Sequence, residues 1–522
     1  FSSSRLLVFS SSRLLVFSMR LLVALLLAPS LAAAQSAAVR AGAESISESN
    51  VRSRIGIIAD DSMGGRDTPS RGLDLTASYI AGEFARFGLV GALDSSRFVQ
   101  RYGVGRTRLD GERSRATFSA EGQQVVATAR RDLVYVFGPR TGRRISAPVI
   151  LVGGPLQLDS AKVLPIEGKI LVVVGDAKAP NATPVNQFLS NAFERNPVAV
   201  IMVMNNDTVT FARQIANQFR ERSAVEGEDA TDAVVTMVHE RALGSIMRAA
   251  GVDLAQFRRS PAYTVRTLPT LTVSVTLADE GGGGHTAPNV VGVLEGSDPV
   301  LKNEYIIFSA HMDHVGTNPR AKGDSIWNGA DDDASGTAGV VELAEAFSQP
   351  GARPKRSLIF LTVSGEEKGL WGSEYFVSHS PIPMSQVVAD INIDMIGRNW
   401  RDTIVAIGRE HSDLGATLDR VGAEHPELNM HAIDDLWPDE NFYFRSDHYN
   451  FARRGVPILF FFNGTHRDYH QASDSPDKID AEKEARILRL IYYLGHELGN
   501  APQRPVWNPG SYKKIVDRKL VP

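Results

Sequence analysis

From Glu304 onward, short unbroken apolar runs alternate with stretches whose apolar residues recur at helical spacing. The runs predict strands at Tyr305–Ala310, Ser357–Val363, Val387–Asp394, Thr403–Ile407 and Pro457–Phe462. The periodic stretches predict helices at Gly336–Phe347, Glu367–Ser378, Leu414–Glu424, Asp447–Arg453 and Ala481–Leu498. Strands that are apolar throughout need cover on both faces. The pattern therefore predicts an α/β fold, a mostly parallel mixed sheet sandwiched by helices.

The first half is organised differently. Leu75, Tyr79, Ile80, Phe84 and Phe87 recur at helical spacing until Gly88, after a polar, Gly-rich loop at 60–66. Phe98–Val136 reads as strands with turns. Composition shifts near Ser146. Buried strands follow at 168–175, 198–204 and 234–238, then a helix at 241–250, with no cluster of chemically active residues. This predicts a smaller inserted α/β domain over 146–261. A discontinuous main domain spans 45–145 and 262–500, and a Pro-rich tail, docked or loose, occupies 501–522.

The amino terminus adds an expectation about location. Residues 1–18 repeat Ser-Ser-Arg-Leu-Leu-Val-Phe and read as an artefact upstream of a true start at Met19. Residues 19–34 then carry a basic residue, an apolar run Leu21–Ala28, Pro29 and three alanines before Gln35, the pattern of a signal peptide. The run falls short of the roughly 20 residues a membrane span needs. The expectation is an exported protein, secreted or periplasmic, with no stable membrane anchor after signal removal.

Composition narrows the chemistry. The chain has 522 residues, 43% apolar and 22% charged, which is globular. A net charge of -4 gives no reason to expect a nucleic-acid partner. With no cysteine, thiolate-held metals and disulfides are excluded. Against this background, clusters of oxygen and imidazole ligands stand out. They are Ser309-Ala310-His311-Met312-Asp313, Gly329-Ala330-Asp331-Asp332-Asp333-Ala334-Ser335-Gly336, Gly365-Glu366-Glu367-Lys368-Gly369, Asp394-Met395 and Tyr469-His470. In an open α/β sheet, ligands bind beyond the carboxyl ends of the strands. His311, Glu366, Glu367, Asp394 and His470 each follow a predicted strand, and Asp332 precedes a helix on the same side.

Singly, each cluster has an ordinary explanation: a surface histidine, or acids at a helix start. Delivered together to one edge, two histidines and several carboxylates suit zinc, cobalt or manganese and point to a two-metal hydrolase.

The ordered set of clusters, extended to Gly365-Glu366-Glu367-Lys368-Gly369-Leu370-Trp371-Gly372-Ser373, resembles the co-catalytic zinc exopeptidases. More narrowly it resembles metallopeptidase family twenty-eight, of the bacterial leucyl aminopeptidase and aminopeptidase Y type. The likeness covers about 45–145 and 263–500, and the 146–261 insert resembles a protease-associated domain. The resemblance implies the zinc-exopeptidase, phosphorylase/hydrolase-like fold and two Zn2+ per chain, with Co2+ or Mn2+ as substitutes. His311 and Asp394 would hold one zinc, Glu367 and His470 the other, and Asp332 would bridge them through a position followed by a cis peptide to Asp333. Asp313 would orient His311. Glu366 would activate a zinc-bridging water for hydrolysis of the amino-terminal peptide bond.

Peptide or protein amino termini are then the expected substrate, with the oligomeric state open. Tyr443 is a candidate oxyanion donor. Asp447 is a candidate substrate contact, with helix capping the equal alternative. A carboxypeptidase, a dipeptidase and a glutaminyl cyclase-like enzyme on the same fold are alternatives, as is a non-catalytic receptor-like homologue. The full set of five metal positions and Glu366 favours hydrolysis.

Overall fold

The computed structural model describes residues 37–92, 97–138, 140–175, 188–189, 191–193, 195–220, 222–225, 233–280, 284–518 and 520–521. The repeat at 1–18 and the signal peptide at 19–34 lie outside the described residues. The chain forms two compact units, one of residues up to Tyr102 together with those from Thr286 on, the other of Gly103–His285.

The first unit is built on strands β1 (Gly284–Leu294), β2 (Tyr305–His311), β3 (Ser357–Val363), β4 (Val387–Ile393), β5 (Thr403–Ile407), β6 (His431–Ile433) and β7 (Ile458–Phe461). Their order is β6-β5-β7-β4-β2-β3-β1. The central four, β7, β4, β2 and β3, run parallel. β1 is antiparallel to β3, and β5 is antiparallel to β7. This is the predicted mostly parallel mixed sheet, with antiparallel edges.

Period-two alternation divides each central strand between two cores. Ile306, Phe308 and Ala310 face one apolar cluster, whereas Ile307 faces another with Ile359 and Leu361. Phe308 stacks on Phe360 with ring centroids 5.6 Å apart.

Helices cover both faces. They are α1 (Glu48–Ile58), α2 (Arg71–Arg86), α3 (Ala334–Phe347), α4 (Trp371–Ser378), α5 (Leu414–Glu424), α6 (His448–Ala452) and α7 (Ala481–Asn500). α3 packs against β2, β3 and β4, with α1 and α7 stacked on it. α4 packs on α6, which covers β4 and β7. In α2 the buried stripe is Leu73, Ala77, Ile80 and Phe84, and Ser70 caps the helix by accepting from the Leu73 N–H. Leu75, expected on that stripe, is exposed, because it lies about 160° round the helix from Leu73.

Two helix starts differ from expectation. α3 begins two residues early, at Ala334, because Asp333 caps it by accepting from the Gly336 N–H. The segment after β3 is a short 3-10 turn at Glu366–Lys368, and α4 starts only at Trp371. Gly365, Gly369 and Leu370 at positive φ break what the pattern presented as one helix. The tail is docked: a helix at Pro509–Ile515 buries Ile515, and the Trp507 indole donates to the Gly455 carbonyl at 2.9 Å.

The second unit has its own parallel core, strands Val149–Gly153, Ile170–Val174, Ala199–Met204 and Val234–His239. Leu133–Phe137 and Thr264–Thr267 pair antiparallel at its edges. The domain limits expected at 146 and 261 fall inside this unit. Leu133–Phe137 pairs with Val234–His239 and Thr264–Thr267 with Val149–Gly153, which ties 103–145 and 262–285 to the insert, and Thr272–Glu280 joins the two flanks by pairing with Arg115–Ala120 and Thr141–Ala147. Pairing between such distant segments leaves no local mark on composition.

Candidate metal centre

The parallel run of β7, β4, β2 and β3 puts four carboxyl ends on one edge, and the chemistry gathers there. His311 ends β2, and its backbone N–H donates to Asp333 Oδ2 at 3.2 Å. Its Nδ1 lies 3.2 Å from the Asp313 carbonyl and 3.7 Å from Asp313 Oδ1. A proton on Nδ1 answers those acceptors and leaves the Nε2 lone pair free. Nε2 faces Asp332 Oδ1 at 3.4 Å and Asp394 Oδ1 at 3.6 Å.

The other oxygen of Asp332 faces the opposite way. Oδ2 lies 3.1 Å from His470 Nε2, which is itself 3.1 Å from Glu367 Oε1. The five residues given metal roles in the sequence thus stand as two groups sharing one carboxylate. A sixth residue stands with them: His314 Nδ1 is 3.0 Å from Glu367 Oε1 and 3.6 Å from Asp332 Oδ2. Sequence reasoning passed over His314. The only signal was its place directly after His311-Met312-Asp313.

Acids that do not face the centre hold those that do. Asp333 accepts from the N–H groups of His311, Gly336 and Met395, fastening β2, α3 and the end of β4 to one carboxylate. Asp331 accepts from the Gly397 N–H at 2.7 Å and lies 3.1 Å from His466 Nε2. Asp474 accepts from the N–H groups of Asp331 and Asp332. Asp313 accepts from the Thr68 hydroxyl at 2.8 Å and the Glu366 N–H at 3.3 Å. Ser446 donates to Asp394 Oδ2 at 3.0 Å. The Asp332–Asp333 peptide is cis.

Arg66 is the hidden anchor of these loops. Its fully buried guanidinium donates to the carbonyls of Met312 at 2.9 Å, Gly329 at 2.9 Å and Ile58 at 3.0 Å, and also to Asn328. Residues 60–66 read only as a polar loop in sequence, because a guanidinium bonded to carbonyls leaves no complementary charge motif. Arg66→Met is expected to destabilise the protein by about 3–5 kcal/mol, since several buried carbonyls lose their donor at once. Urea denaturation measures this, and a loss under about 1 kcal/mol contradicts the anchoring role.

The electrostatics follow from packing unlike charges into a buried edge. Burial opposes the charged form of His470, but Asp332 and Glu367 beside it raise its pKa to about 10. Burial likewise opposes charge on Asp332, yet His314, His311 and His470 hold it well below the usual carboxylate range. Glu366 moves the other way. Burial pushes it well above the carboxylate range, and Asp447, Asp394 and Glu367 add to this against the opposing pull of His311. Two neighbouring carboxyls driven apart in this manner mark a site organised for proton transfer.

A narrow cavity opens on this edge. Its lining joins His311, Asp332, Glu366 and Asp394 with Arg445 and the apolar Met395, Phe442, Phe460 and Phe462. Tyr469 lines it too, its ring stacked on His470 with centroids 4.0 Å apart. Tyr443 and Asp447 do not line it; both are buried. The turn Phe442–Phe444 presents Phe442 to the cavity and turns Tyr443 inward against His411 and His448. Tyr469 therefore takes the place at the cavity expected for Tyr443.

Residues 289–495 match the model described as Peptidase family M28. Leupeptin-inactivating enzyme 1 of Streptomyces exfoliatus is 31% identical over 240 residues, 46% of this chain and 47% of that protein. A probable leucine aminopeptidase of Arthroderma otae is 26% identical over 212 residues, 39% of this chain and 56% of that protein. The chain thus spans about half the length of these two relatives. Among solved structures, an aminopeptidase from Aneurinibacillus sp. strain AM-1 aligns with 90% of this chain and 97% of its own. Its identity is 19% and its TM-score 0.47. BSAP, a zinc aminopeptidase from Bacillus subtilis, aligns with 87% of this chain and 96% of its own, at 16% identity and a TM-score of 0.45.

Proposed function

We propose that this chain, which belongs to peptidase family M28 through residues 289–495, is a di-zinc exopeptidase that removes amino-terminal residues from peptides. The division of Asp332 supports this reading most directly: Oδ1 sits with His311 and Asp394, Oδ2 with Glu367 and His470. The donor set fits the metal. Imidazoles and carboxylates without thiolates are ordinary zinc ligands, and Asp332 Oδ2, Glu367 Oε1 and His470 Nε2 are buried without a hydrogen-bond partner. Bound zinc would supply Lewis-acid polarisation of the scissile carbonyl and a water of lowered pKa.

The chain's own groups do the rest. Glu366 faces the cavity beside His311 and Asp394 and takes the proton of the attacking water. Its raised pKa suits it to hold that proton and pass it to the leaving amine. Asp313 fixes it by accepting from its backbone N–H. The Tyr469 hydroxyl, kept protonated by burial, donates to the oxyanion of the tetrahedral intermediate. Phe442, Phe460, Phe462 and Met395 receive an apolar amino-terminal side chain, and the carboxylates lining the cavity meet the free amine.

The name of one relative, a probable leucine aminopeptidase, favours the aminopeptidase over carboxypeptidase, dipeptidase and cyclase alternatives. The signal pattern at 19–34 supports export to the periplasm or beyond the cell. Among the described residues no helix is long and apolar enough to cross a membrane.

The test is a substrate panel with and without chelator. Leucyl and phenylalanyl amides should be cleaved about 10- to 200-fold faster than glycyl amides, as a pocket filled by a few methylenes discriminates. Chelation should abolish cleavage and zinc restore it. Equal rates on N-acetylated peptides would refute the aminopeptidase reading.

A further inference from the structure

The two donor groups around Asp332 are unlike. One consists of His311, Asp332 and Asp394, and the other of His314, Asp332, Glu367 and His470. In the second, His314 Nδ1, Asp332 Oδ2, Glu367 Oε1 and His470 Nε2 are all buried without a hydrogen-bond partner. They are nevertheless close, with separations of 3.0, 3.1, 3.1 and 3.6 Å. Four buried donor atoms at that range, with no partner outside the group, are satisfied together by one cation among them. Four donors set tetrahedrally around zinc, each about 2.0–2.1 Å from it, stand about 3.3–3.4 Å apart. The four separations scatter about that value.

The placement of His314 is built, not incidental. The ring is fully buried, and its backbone N–H donates to the Arg66 carbonyl at 3.3 Å. Gly329, at φ +55°, gives it room, for a Cβ there would come within 2.5 Å of the imidazole. Its Nε2 is also buried without a hydrogen-bond partner among the described residues.

The two groups also differ in access. His311, Asp332 and Asp394 line the cavity beside Glu366, whereas His314, Glu367 and His470 do not, although Glu367 and His470 are the partly exposed members of the set. A zinc with four protein ligands is closed and holds structure, while one with three keeps a position for water or substrate. Resting on the di-zinc reading, we propose that His314 is a fourth protein ligand, which makes the centre asymmetric: a closed site of His314, Asp332, Glu367 and His470 that fills first and stays filled, and an open exchanging site of His311, Asp332 and Asp394 that faces substrate.

The test is a metal titration of the full chain after chelator stripping, with zinc under chelator competition and with cobalt followed by absorption spectroscopy. Wild type should fill in two steps. The first equivalent of cobalt should give the intense bands of a four-coordinate ion, and X-ray absorption should count two imidazoles around it. His314→Gln should weaken the first step by at least about 100-fold, above the 10- to 100-fold cost of losing a partner outside the coordination sphere. X-ray absorption should then count one imidazole. Asp394→Asn should weaken the second step and spare the first.

Two equal steps in wild type, or one imidazole at the first cobalt, overturns the asymmetry. Because that count needs no variant, a variant that fails to fold leaves the question decidable. A wild-type protein that binds two metals and cleaves peptides yet shows one imidazole defeats only the role of His314. A wild-type protein that binds fewer than two metals defeats the di-zinc reading itself.

Discussion

Glu366→Gln is expected to lower turnover by about 100- to 10,000-fold, the usual contribution of a positioned general base, while the chain still binds two zinc ions. Glutamine keeps the size of the side chain and the backbone N–H that donates to Asp313, so the turn after β3 has no cause to move. What it removes is the carboxylate that can take a proton from water and return it to the amine. Glu366 belongs to neither donor group around Asp332, which is why metal content and activity should separate. The measurement is kcat on a leucyl substrate alongside elemental analysis of the same preparation. Wild-type turnover in metal-replete Glu366→Gln protein would remove the base from the mechanism. Loss of zinc together with activity would instead make Glu366 a ligand.

Asp332→Asn should do the opposite and fail through metal. Asp332 is the one residue whose two oxygens reach both groups, Oδ1 toward His311 and Oδ2 toward His470 and His314. An amide offers one oxygen and no charge, so a single substitution weakens both sites. Zinc affinity is expected to fall at least about 100-fold at each, since even partners outside the coordination sphere cost 10- to 100-fold, and activity should follow. The substitution also leaves three imidazoles without the carboxylate beside them. Chelator competition and activity at saturating zinc are the readouts. Two tightly bound zincs with wild-type activity in this variant would show that the carboxylate does not bridge.

Much of this was legible in the chain. Apolar runs such as Ser357–Val363 are strands because continuous burial permits little else at that length. Their alternation with helices such as α3 selects a parallel sheet, whose carboxyl ends lie on one edge. Positions at strand ends follow from that. Once β2, β3 and β4 are parallel neighbours, His311, Glu367 and Asp394 must be near one another. The residue types in the clusters, with no cysteine anywhere, limit the chemistry to hard and borderline metals.

Direction was not legible. Whether a side chain beyond a strand end points at the centre, into the core or to solvent is set by contacts far off in sequence. Tyr443 and Tyr469 have equal chemistry, but the 3-10 turn at Phe442–Phe444 sends the first inward while stacking on His470 holds the second at the cavity. His314 becomes a candidate ligand only because Arg66 holds its loop and Gly329 clears its ring. The extent of the second unit was hidden for the same reason, since the pairing of Thr272–Glu280 with Arg115–Ala120 joins segments on either side of the insert. Local periodicity and residue type therefore determined the sheet, its reactive edge and the kind of ligand. Long-range packing alone decided which donors gather on each oxygen of Asp332 and which of them line the cavity.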